Sequence, residues 1–230
     1  MNEQQALADF QNRFAAIKAQ GYVRSMRRGP TGIGFTLETL LEIAENNSPL
    51  PDIVGRELKA HRTKSNSLIT LFTFNRKAWQ MSQLRAIQLY GTPDSSGRMG
   101  LYYTLRQTPN SAGLFTHVDD DTLSVRHISG NVIVSWQFDV LAAQFSKKIP
   151  ALIFVSAFTE ERNGVEYFHF YRAQHLEGTS PELLANQFKE ENITIDLRLH
   201  DAGTKARNHG TGFRTFEANL PRLFEKVTEL

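Results

Sequence analysis

The stretch PDIVGRELKAHR, residues 51–62, brings Asp52, Glu57 and Lys59 within eight positions of one another. The residues after the Pro-Asp turn predict a β-strand. Side chains two positions apart in a strand share a face, so Glu57 and Lys59 are expected to point together, whereas Leu58 points to the other side. Asp52 precedes the strand and can turn its carboxylate toward the same space. The stretch therefore predicts a strand that presents two carboxylates and an amine on one face.

Helices and strands are predicted on both sides of this strand. Apolar residues at helical spacing predict a helix over 3–20, ended by Gly21, and a second helix over 32–46 that begins after Thr31. Further strands are predicted over 67–74, 101–107, 113–118, 122–128, 131–136, 151–158, 165–176 and 193–199, and further helices over 79–90, 137–147 and 180–189. A loop over 200–212 and then a last strand and a last helix are predicted to follow. The four short strands from 101 to 136 predict an antiparallel meander. This order indicates the α+β or mixed α/β class, with a mixed central sheet flanked by helices.

Length and composition exclude several classes of protein. The 230 residues suffice for one large core or two small lobes, and 40% hydrophobic and 22% charged residues are typical of a globular protein. The absence of cysteine excludes disulfides and thiolate sites, which suits the cytoplasm, where we expect the protein. No apolar run is long enough to span a membrane, so no membrane association is expected. The net charge of +2 is too small for a non-specific nucleic-acid coat protein but permits a local basic cleft.

Two carboxylates and an amine on one face suit the hydrolysis of a phosphodiester. Mg²⁺ binds oxygen ligands and retains several waters, so Asp52, Glu57 and the backbone carbonyl of Leu58 form a sufficient ligand set. The ion would offset phosphate charge and acidify water, while Lys59 would hydrogen-bond the attacking water. Glu38 on the second helix could hold Lys59 or bind a second ion. The alternative is an exposed strand whose Glu–Lys pair has no catalytic role, since the D-x4-E-x-K pattern often arises by chance.

Four segments together resemble a known family. They are TGIGFTLETLLE (31–42), PDIVGRELKAHR (51–62), KSNSLITLFTF (64–74) and RNHGTGFR (207–214). In this order they resemble the catalytic and C-terminal segments of the MvaI/BcnI restriction endonucleases, which are relatives of the mismatch-repair nickase MutH within the PD-(D/E)xK nuclease superfamily. The resemblance begins near residue 20, runs to the C-terminus, and is strongest over 29–74 and 192–216.

The resemblance implies a role for each member of the acidic constellation. Asp52 and Glu57 would be the metal ligands, Lys59 the catalytic lysine, and Glu38 the helix glutamate that completes a MutH-type site. It also implies a restriction-endonuclease-like fold, in which one nuclease domain over 1–230 forms two lobes around a DNA cleft. The catalytic core would be centred on 22–91 with the strands near 150–175, and the recognition lobe would be drawn from about 92–136 and 192–216.

Basic and polar side chains outside this constellation are predicted to contact DNA. Candidates for phosphate contacts flank the catalytic helix and strand and are Arg24, Arg27, Arg28, Arg62 and Lys64. His61 is a weaker candidate, for a contact in a DNA groove. Candidates for base contacts lie in TKARNHGTGFR, residues 204–214, and are Arg207, Asn208, His209 and Arg214. Gly210 and Gly212 would let the backbone approach DNA closely. The alternatives are a solvated basic loop and a glycine-rich hairpin tip with scattered polar groups.

The expected activity is that of a Type II restriction endonuclease, which hydrolyses double-stranded DNA at a specific site with Mg²⁺ and leaves 5′-phosphates. Mn²⁺ is expected to substitute for Mg²⁺, and Ca²⁺ to bind without supporting cleavage. The resemblance further implies a monomer that cuts the two strands in turn at a short GC-rich site of about five base pairs, with a cognate DNA methyltransferase protecting host DNA. Two alternatives stay open: a MutH-like nickase driven by repair partners, and a DNA-binding module whose carboxylates are structural.

Overall fold

The computed structural model describes residues 3–42, 56–75 and 78–230 of the chain. The helices in these ranges are α1 (Glu3–Ala19), α2 (Gly32–Leu40), α3 (Gln83–Tyr90), α4 (Phe138–Lys148) and α5 (Pro181–Lys189), with a 3₁₀-helix over Glu217–Leu223. The strands are β1 (Val23–Arg24), β2 (Glu57–Arg62), β3 (Leu68–Thr73), β4 (Thr92–Pro93), β5 (Met99–Leu105), β6 (Leu114–Val118), β7 (Thr122–His127), β8 (Val132–Gln137), β9 (Ala151–Arg162), β10 (Val165–Glu177), β11 (Ile193–Asp201), β12 (Ala206–Asn208), β13 (Gly212–Phe216) and β14 (Lys226–Glu229).

These elements confirm the predicted α+β class. Each predicted helix and strand has a counterpart, and the short strands β1, β4, β12 and β14 were not predicted. Asp52 and the predicted end of the second helix, 43–46, lie outside the described residues. Within the described ranges, no helix combines the length and the apolar character needed to cross a bilayer.

The chain divides into two compact units. The first comprises Met1–Ser67, Ile149–Gly178 and Phe224–Leu230, and the second comprises Leu68–Lys148 and Thr179–Leu223. Residues 68–91, which the resemblance places in the catalytic core, belong to the second unit, because β3 pairs with β13 and α3 packs against β5 and β11.

A mixed sheet forms the centre of the first unit. Its strand order is β1-β10-β9-β2, and β14 pairs with the far end of β10. The strand β2 runs parallel to β9, with Glu57 beside Leu152 and Lys59 beside Phe154. The other pairs in this sheet are antiparallel, and a bulge between Phe170 and Arg172 interrupts β10. The parallel pairing requires a long connection between β2 and β9, which the second unit supplies.

Helices α1 and α2 cover one face of this sheet. The predicted apolar stripe of α1 is buried at Phe10, Phe14 and Ile17, and the predicted stripe of α2 is buried at Ile33 and Leu37. These side chains pack in one cluster with apolar residues of β2, β9 and β10: Leu58, Ile153, Val155, Ala157, Phe168, Phe170 and Ala173. Because side chains alternate along a strand, burial of Leu58 on the helix side leaves Glu57 and Lys59 on the opposite face.

A glycine fixes the start of α2. A side chain at Gly32 would meet the carbonyl oxygen of Arg27 at 2.2 Å and Ser25 Oγ at 2.9 Å. The hydroxyl of Thr36, one turn along α2, accepts a hydrogen bond of 3.0 Å from the Met26 amide. The loop over 25–31, called the basic loop because it carries Arg27 and Arg28, is therefore packed directly against the first turn of α2.

Two sheets form the second unit. The larger has the order β3-β13-β11-β5-β4, with β12 paired to β11, and the smaller is the antiparallel sheet β6-β7-β8. The prediction of a four-strand meander over 101–136 was wrong for its first strand. That strand, β5, pairs with β11, so that Leu105 lies beside Ile195 and Leu101 beside Leu199. Buried apolar side chains at Leu101 and Leu105 favour this central position over a place in the small sheet.

Candidate functional site

The predicted catalytic strand presents an ion pair. Glu57 and Lys59 lie on the sheet face opposite the helices, and Lys59 Nζ is 3.4 Å from Glu57 Oε1. Both side chains are partly exposed, Lys59 by 33% and Glu57 by 42%. Buried Leu152 and Phe154 stand beside them on β9. An apolar support of this kind holds the charged groups in place and weakens solvent screening on one side of the pair.

Two further members of the acidic constellation are placed differently. Glu38 is half-buried on α2, which packs against β2 within the first unit. Asp52 lies outside the described residues. Among the described residues, no three His, Asp or Glu side chains converge on a common point that would hold a metal ion. The donors that are described fit a hard cation in chemistry, since Glu57 offers a carboxylate and Leu58 a backbone carbonyl.

The entry to β2 is fixed by a buried polar pair. Arg56, only 5% exposed, donates a hydrogen bond of 2.6 Å from Nε to Nε2 of His175, which is 3% exposed. His175 Nδ1 lies 3.5 Å from the Glu177 carboxylate, and Lys226 pairs with the same carboxylate at 3.0 Å. The pair joins the residue immediately before Glu57 to β10, and so restrains the position of the candidate catalytic strand.

His61 does not reach a DNA groove in this structure. Its side chain is 3% exposed and stacks on Phe154, with ring centroids 5.5 Å apart. His61 shares the face of Glu57 and Lys59, as strand alternation requires. It lies two residues beyond Lys59 along β2, where this face of the sheet is buried. Sequence spacing gives the face of a strand residue and does not give its depth.

Arg62 clamps the basic loop to β10. Its guanidinium donates hydrogen bonds of 2.7 and 2.8 Å to the two carboxylate oxygens of Glu166. It also donates to the carbonyl oxygens of Pro30, at 3.0 Å, and Gly29, at 3.3 Å. These partners occupy the donors that the sequence analysis assigned to DNA phosphates. Lys64, two residues on, is exposed and stays a candidate for a phosphate contact.

Arg62→Ala is expected to lower the free energy of unfolding by about 2 kcal/mol, because two charge-assisted hydrogen bonds are lost and Glu166 is left unpaired. Urea unfolding followed by circular dichroism measures the change. Lys64→Ala, which removes an exposed positive charge nearby, should change the same free energy by less than about 0.5 kcal/mol. Equal effects of the two substitutions would contradict the clamp.

The basic loop lines a cavity in the first unit. Arg24, Arg27 and Arg28 form one side of an open cavity of about 610 Å³, and Glu160, Glu161 and Glu166 contribute to the other side. The Arg27 guanidinium lies over the Phe35 ring, 3.7 Å from its centroid. Arg24 and Arg28 are exposed. Of the three, Arg24 and Arg28 are therefore better placed to contact a phosphate.

The predicted base-reading segment lies along β11 in the second unit, where β12 and then β13 both run antiparallel to β11 and residues 209–211 separate them. Asn208 Oδ1 accepts a hydrogen bond of 2.8 Å from the Gly210 amide, and Gly210 has a φ of +101° that only glycine adopts readily. The side chain of Asn75 accepts from the Thr211 amide at 3.1 Å. Arg207 and His209 are exposed in this segment, whereas Asn208 has a structural role within it.

Arg214 is held by an acidic partner. Its Nη1 donates to Asp196 Oδ2 at 2.8 Å, and its Nη2 donates to the carbonyl oxygen of Leu68 at 2.8 Å. Thr104 donates to the other oxygen of Asp196 at 2.7 Å. Arg214 is 28% exposed, so part of the guanidinium surface stays accessible beside this network.

The structure adds Arg198 to the candidate residues. Four side-chain atoms of β11 and the 206–216 segment are buried and lack a hydrogen-bond partner among the described residues: Arg198 Nε, Asn208 Nδ2, Thr211 Oγ1 and Arg214 Nε. A side chain at Gly212 would lie 2.8 Å from Arg198 Nη2, so this glycine leaves the space that the guanidinium fills. The D-x-R-x-H alternation at 196–200 places three polar residues on one face of β11, and this signal could have indicated Arg198 from the sequence.

His200 is buried beside basic side chains. Arg98 Nη1 lies 3.3 Å from its Nε2, and the Tyr102 hydroxyl lies 2.8 Å from its Nδ1. Burial lowers the pKa of His200, and the nearby side chains of Arg98, His209 and Arg207 lower that pKa further. The neutral ring accepts from Arg98 and donates to Tyr102.

Acidification is expected to destabilise the second unit through His200. Because the pKa of His200 is lower in the folded than in the unfolded chain, the unfolded state takes up the proton first as the pH falls. The neutral His200 ring contributes fully to the free energy of unfolding above its unfolded pKa of about 6.5. This contribution is lost as the pH falls below that value.

The urea concentration at the midpoint of unfolding, measured above and below about pH 6.5, reports this loss. The midpoint of His200→Gln should depend less on pH than that of the wild type. Tryptophan fluorescence reports on this unit, because Trp79 and Trp136, the two tryptophans of the chain, both belong to it. A pH dependence that His200→Gln leaves unchanged would contradict the assignment.

The chain is similar to solved structures of a restriction endonuclease. A solved structure described as "Restriction endonuclease MvaI-cognate DNA substrate complex" shares 26% sequence identity with it at a TM-score of 0.67, covering 100% of this chain and 99% of that chain. The structure "Restriction endonuclease MvaI in the absence of DNA" shares 26% identity at a TM-score of 0.65, with coverage of 100% and 98%. No curated protein sequence matches the chain.

The comparisons confirm both the restriction-endonuclease-like fold and the predicted resemblance. The family model described as "MvaI/BcnI restriction endonuclease family" matches residues 11–224, a range that includes both the Glu57–Lys59 strand and the 206–216 segment. The match extends over most of the 230 residues. The chain therefore belongs to the MvaI/BcnI restriction endonuclease family.

Proposed function

We propose that the protein is a Type II restriction endonuclease that hydrolyses double-stranded DNA at a specific sequence with Mg²⁺ and leaves 5′-phosphates. The observation that carries the proposal is the partly exposed Glu57–Lys59 pair on one face of the mixed sheet, in a chain from a restriction endonuclease family. The likeness to MvaI in complex with its cognate DNA substrate supports double-stranded DNA as the substrate.

Each side chain of the constellation has a proposed role in the reaction. Lys59 hydrogen-bonds the attacking water and offsets the charge that builds on the phosphate. The water oxygen forms a bond to phosphorus while the bond to the 3′-oxygen breaks, and that oxygen takes up a proton and leaves as a hydroxyl. Glu57, 3.4 Å from Lys59, fixes the ammonium group and offers a ligand oxygen. Glu38 acts from α2 on the same group of residues.

The metal ligands are proposed to be Glu57, Asp52 and the backbone carbonyl of Leu58. A divalent cation bound there supplies charge neutralisation at the phosphate and lowers the pKa of water. We expect Mg²⁺ or Mn²⁺ to support cleavage and Ca²⁺ to support binding alone. The all-oxygen donor set supports this order, because hard cations prefer oxygen ligands.

The second unit is proposed to read the sequence. Arg207 and His209 are exposed in the 206–216 segment, and the partly exposed Arg198 and Arg214 each have a buried Nε–H group without a partner among the described residues. Arginine donors pair with guanine in the major groove, which supports a short GC-rich site of about five base pairs. We further propose that a monomer cuts the two strands in turn in the cytoplasm, and that a cognate methyltransferase protects host DNA.

Digestion of phage DNA distinguishes this function from its alternatives. With Mg²⁺, the purified protein is expected to give discrete linear fragments, and with a chelator no cleavage. Nicks that appear only when a repair partner is added would support the alternative of a MutH-like nickase. Binding in Ca²⁺ without cleavage in Mg²⁺ or Mn²⁺ would leave a DNA-binding module whose carboxylates are structural.

A further inference from the structure

An aromatic surface continues the face of the first sheet that carries Glu57 and Lys59. Phe154 stands beside Lys59, and Phe158 follows on the same face of β9. His169 of β10 lies directly beside Phe158. Tyr22 immediately precedes β1. Because β1 pairs antiparallel with β10, with Val23 beside Phe168, Tyr22 lies next to His169. The surface therefore crosses three neighbouring strands of one sheet.

The rings of this surface contact one another in a continuous row. Phe158 and Tyr171 are stacked, with centroids 4.1 Å apart and ring planes 11° apart. Tyr22 and His169 are 5.5 Å apart, and His169 and Phe158 are 6.4 Å apart. Tyr22 is 38% exposed and Phe158 41% exposed. Large aromatic side chains this exposed, and in mutual contact, indicate a binding surface.

Positive charge borders the aromatic surface. The Arg162 guanidinium lies 4.7 Å from the Tyr167 ring centroid and 5.5 Å from that of Tyr22. Exposed Arg24 shares the face of Tyr22, two residues along β1. Arg162 pairs with the Glu160 carboxylate at 2.9 Å, so this pair has no net charge and Arg24 supplies the positive charge of the border. The planar Arg162 guanidinium and the charge of Arg24 together suit an anion that has planar groups.

The position of the surface connects it with the reaction. Phe158 lies four residues beyond Phe154, the neighbour of Lys59, which corresponds to about 13 Å along the strand. That distance is spanned by a few nucleotides of a DNA strand. Aromatic rings on a sheet face, bordered by arginine, stack on unpaired bases without selecting a sequence.

We propose that this surface binds single-stranded DNA, and that Tyr22, Phe158 and Tyr171 stack on unpaired bases of the strand next to the cut. This inference rests on the proposed function, because it concerns the strand on which Glu57 and Lys59 act. The substrate duplex is a different ligand, since its bases are stacked on each other and present no free faces to the rings.

Fluorescence anisotropy of a labelled single-stranded thymidine oligonucleotide tests the proposal in a chelating buffer, where no cleavage occurs. Phe158→Ala and Tyr22→Ala are each expected to weaken binding by roughly tenfold. Phe158→Tyr retains an aromatic face and should bind within about twofold of the wild type. Val140→Ala is the matched control, because Val140 on α4 is also 41% exposed and lies in the second unit.

Unchanged binding by both alanine variants, each with the melting temperature of the wild type, would overturn the proposal. So would an equal loss in Val140→Ala. Lys59→Ala is expected to bind the oligonucleotide as the wild type does. If Lys59→Ala still cuts DNA, the proposed function fails while the binding result stands. If the alanine variants bind normally, only the single-strand surface fails.

Discussion

Lys59→Ala is expected to reduce the rate of DNA cleavage by roughly a thousandfold while cognate DNA binding in Ca²⁺ is retained. Lys59 is the positively charged member of the Glu57–Lys59 pair, and it is the group that would stabilise charge developing at phosphorus. The side chain is one-third exposed and makes its ion pair with a neighbour on the same strand. Removing it therefore has little effect on folding, so the loss falls on the chemical step.

Single-turnover cleavage of a plasmid measures the rate, and a gel shift in Ca²⁺ measures binding. Lys147→Ala is a suitable control, because Lys147 is an exposed lysine in the last turn of α4 and is not among the candidate residues. Its cleavage rate should match that of the wild type. Cleavage by Lys59→Ala at the rate of Lys147→Ala would remove the proposed role of the lysine.

Phe213→Ala is expected to lower the free energy of unfolding of the second unit by about 3–5 kcal/mol. Phe213 is fully buried on β13. Its ring stacks on Phe72 at 4.7 Å and meets the edges of Trp136 at 5.2 Å and Phe188 at 6.2 Å. The substitution removes these contacts and leaves a cavity between β3, β8 and α5. Gly212 and Arg214 flank Phe213, so the loss also disturbs the segment proposed to read the bases.

Urea unfolding followed by tryptophan fluorescence measures this change, since both tryptophans lie in the second unit. Phe213→Leu fills most of the cavity and should be less destabilising than alanine. Leu89→Ala in the same unit is the control, because Leu89 is 46% exposed and should cost less than about 0.5 kcal/mol. A loss below about 1 kcal/mol for Phe213→Ala would show that the aromatic cluster does not hold the unit together.

Periodicity in the sequence was sufficient for features that depend on neighbours along the chain. Alternation along β2 predicted that Glu57 and Lys59 share a face, and the structure places them 3.4 Å apart. Helical spacing predicted the buried stripe of α1. The motif resemblance identified the family, because its four segments fall in one order and two of them have residue types suited to particular chemistry.

Features that depend on distant partners could not be predicted in this way. Arg62 is paired with Glu166, 104 positions away, and this pairing changes its role from a phosphate contact to a clamp. Arg214 is paired with Asp196 across two neighbouring strands. The burial of His61 follows from Phe154, on a strand separated from β2 by residues Leu68–Lys148 of the second unit. In each case the residue type was informative, and its environment was set by pairing between remote strands.

Mapping the ends produced from a sequenced plasmid tests the central claim most directly, which is that the Glu57–Lys59 face hydrolyses DNA at a sequence selected by the second unit. The account predicts that every end carries a 5′-phosphate, that all ends share one short GC-rich sequence, and that cleavage requires added Mg²⁺ or Mn²⁺. Ends scattered without a common sequence, or a plasmid left uncut with both metals, would contradict it.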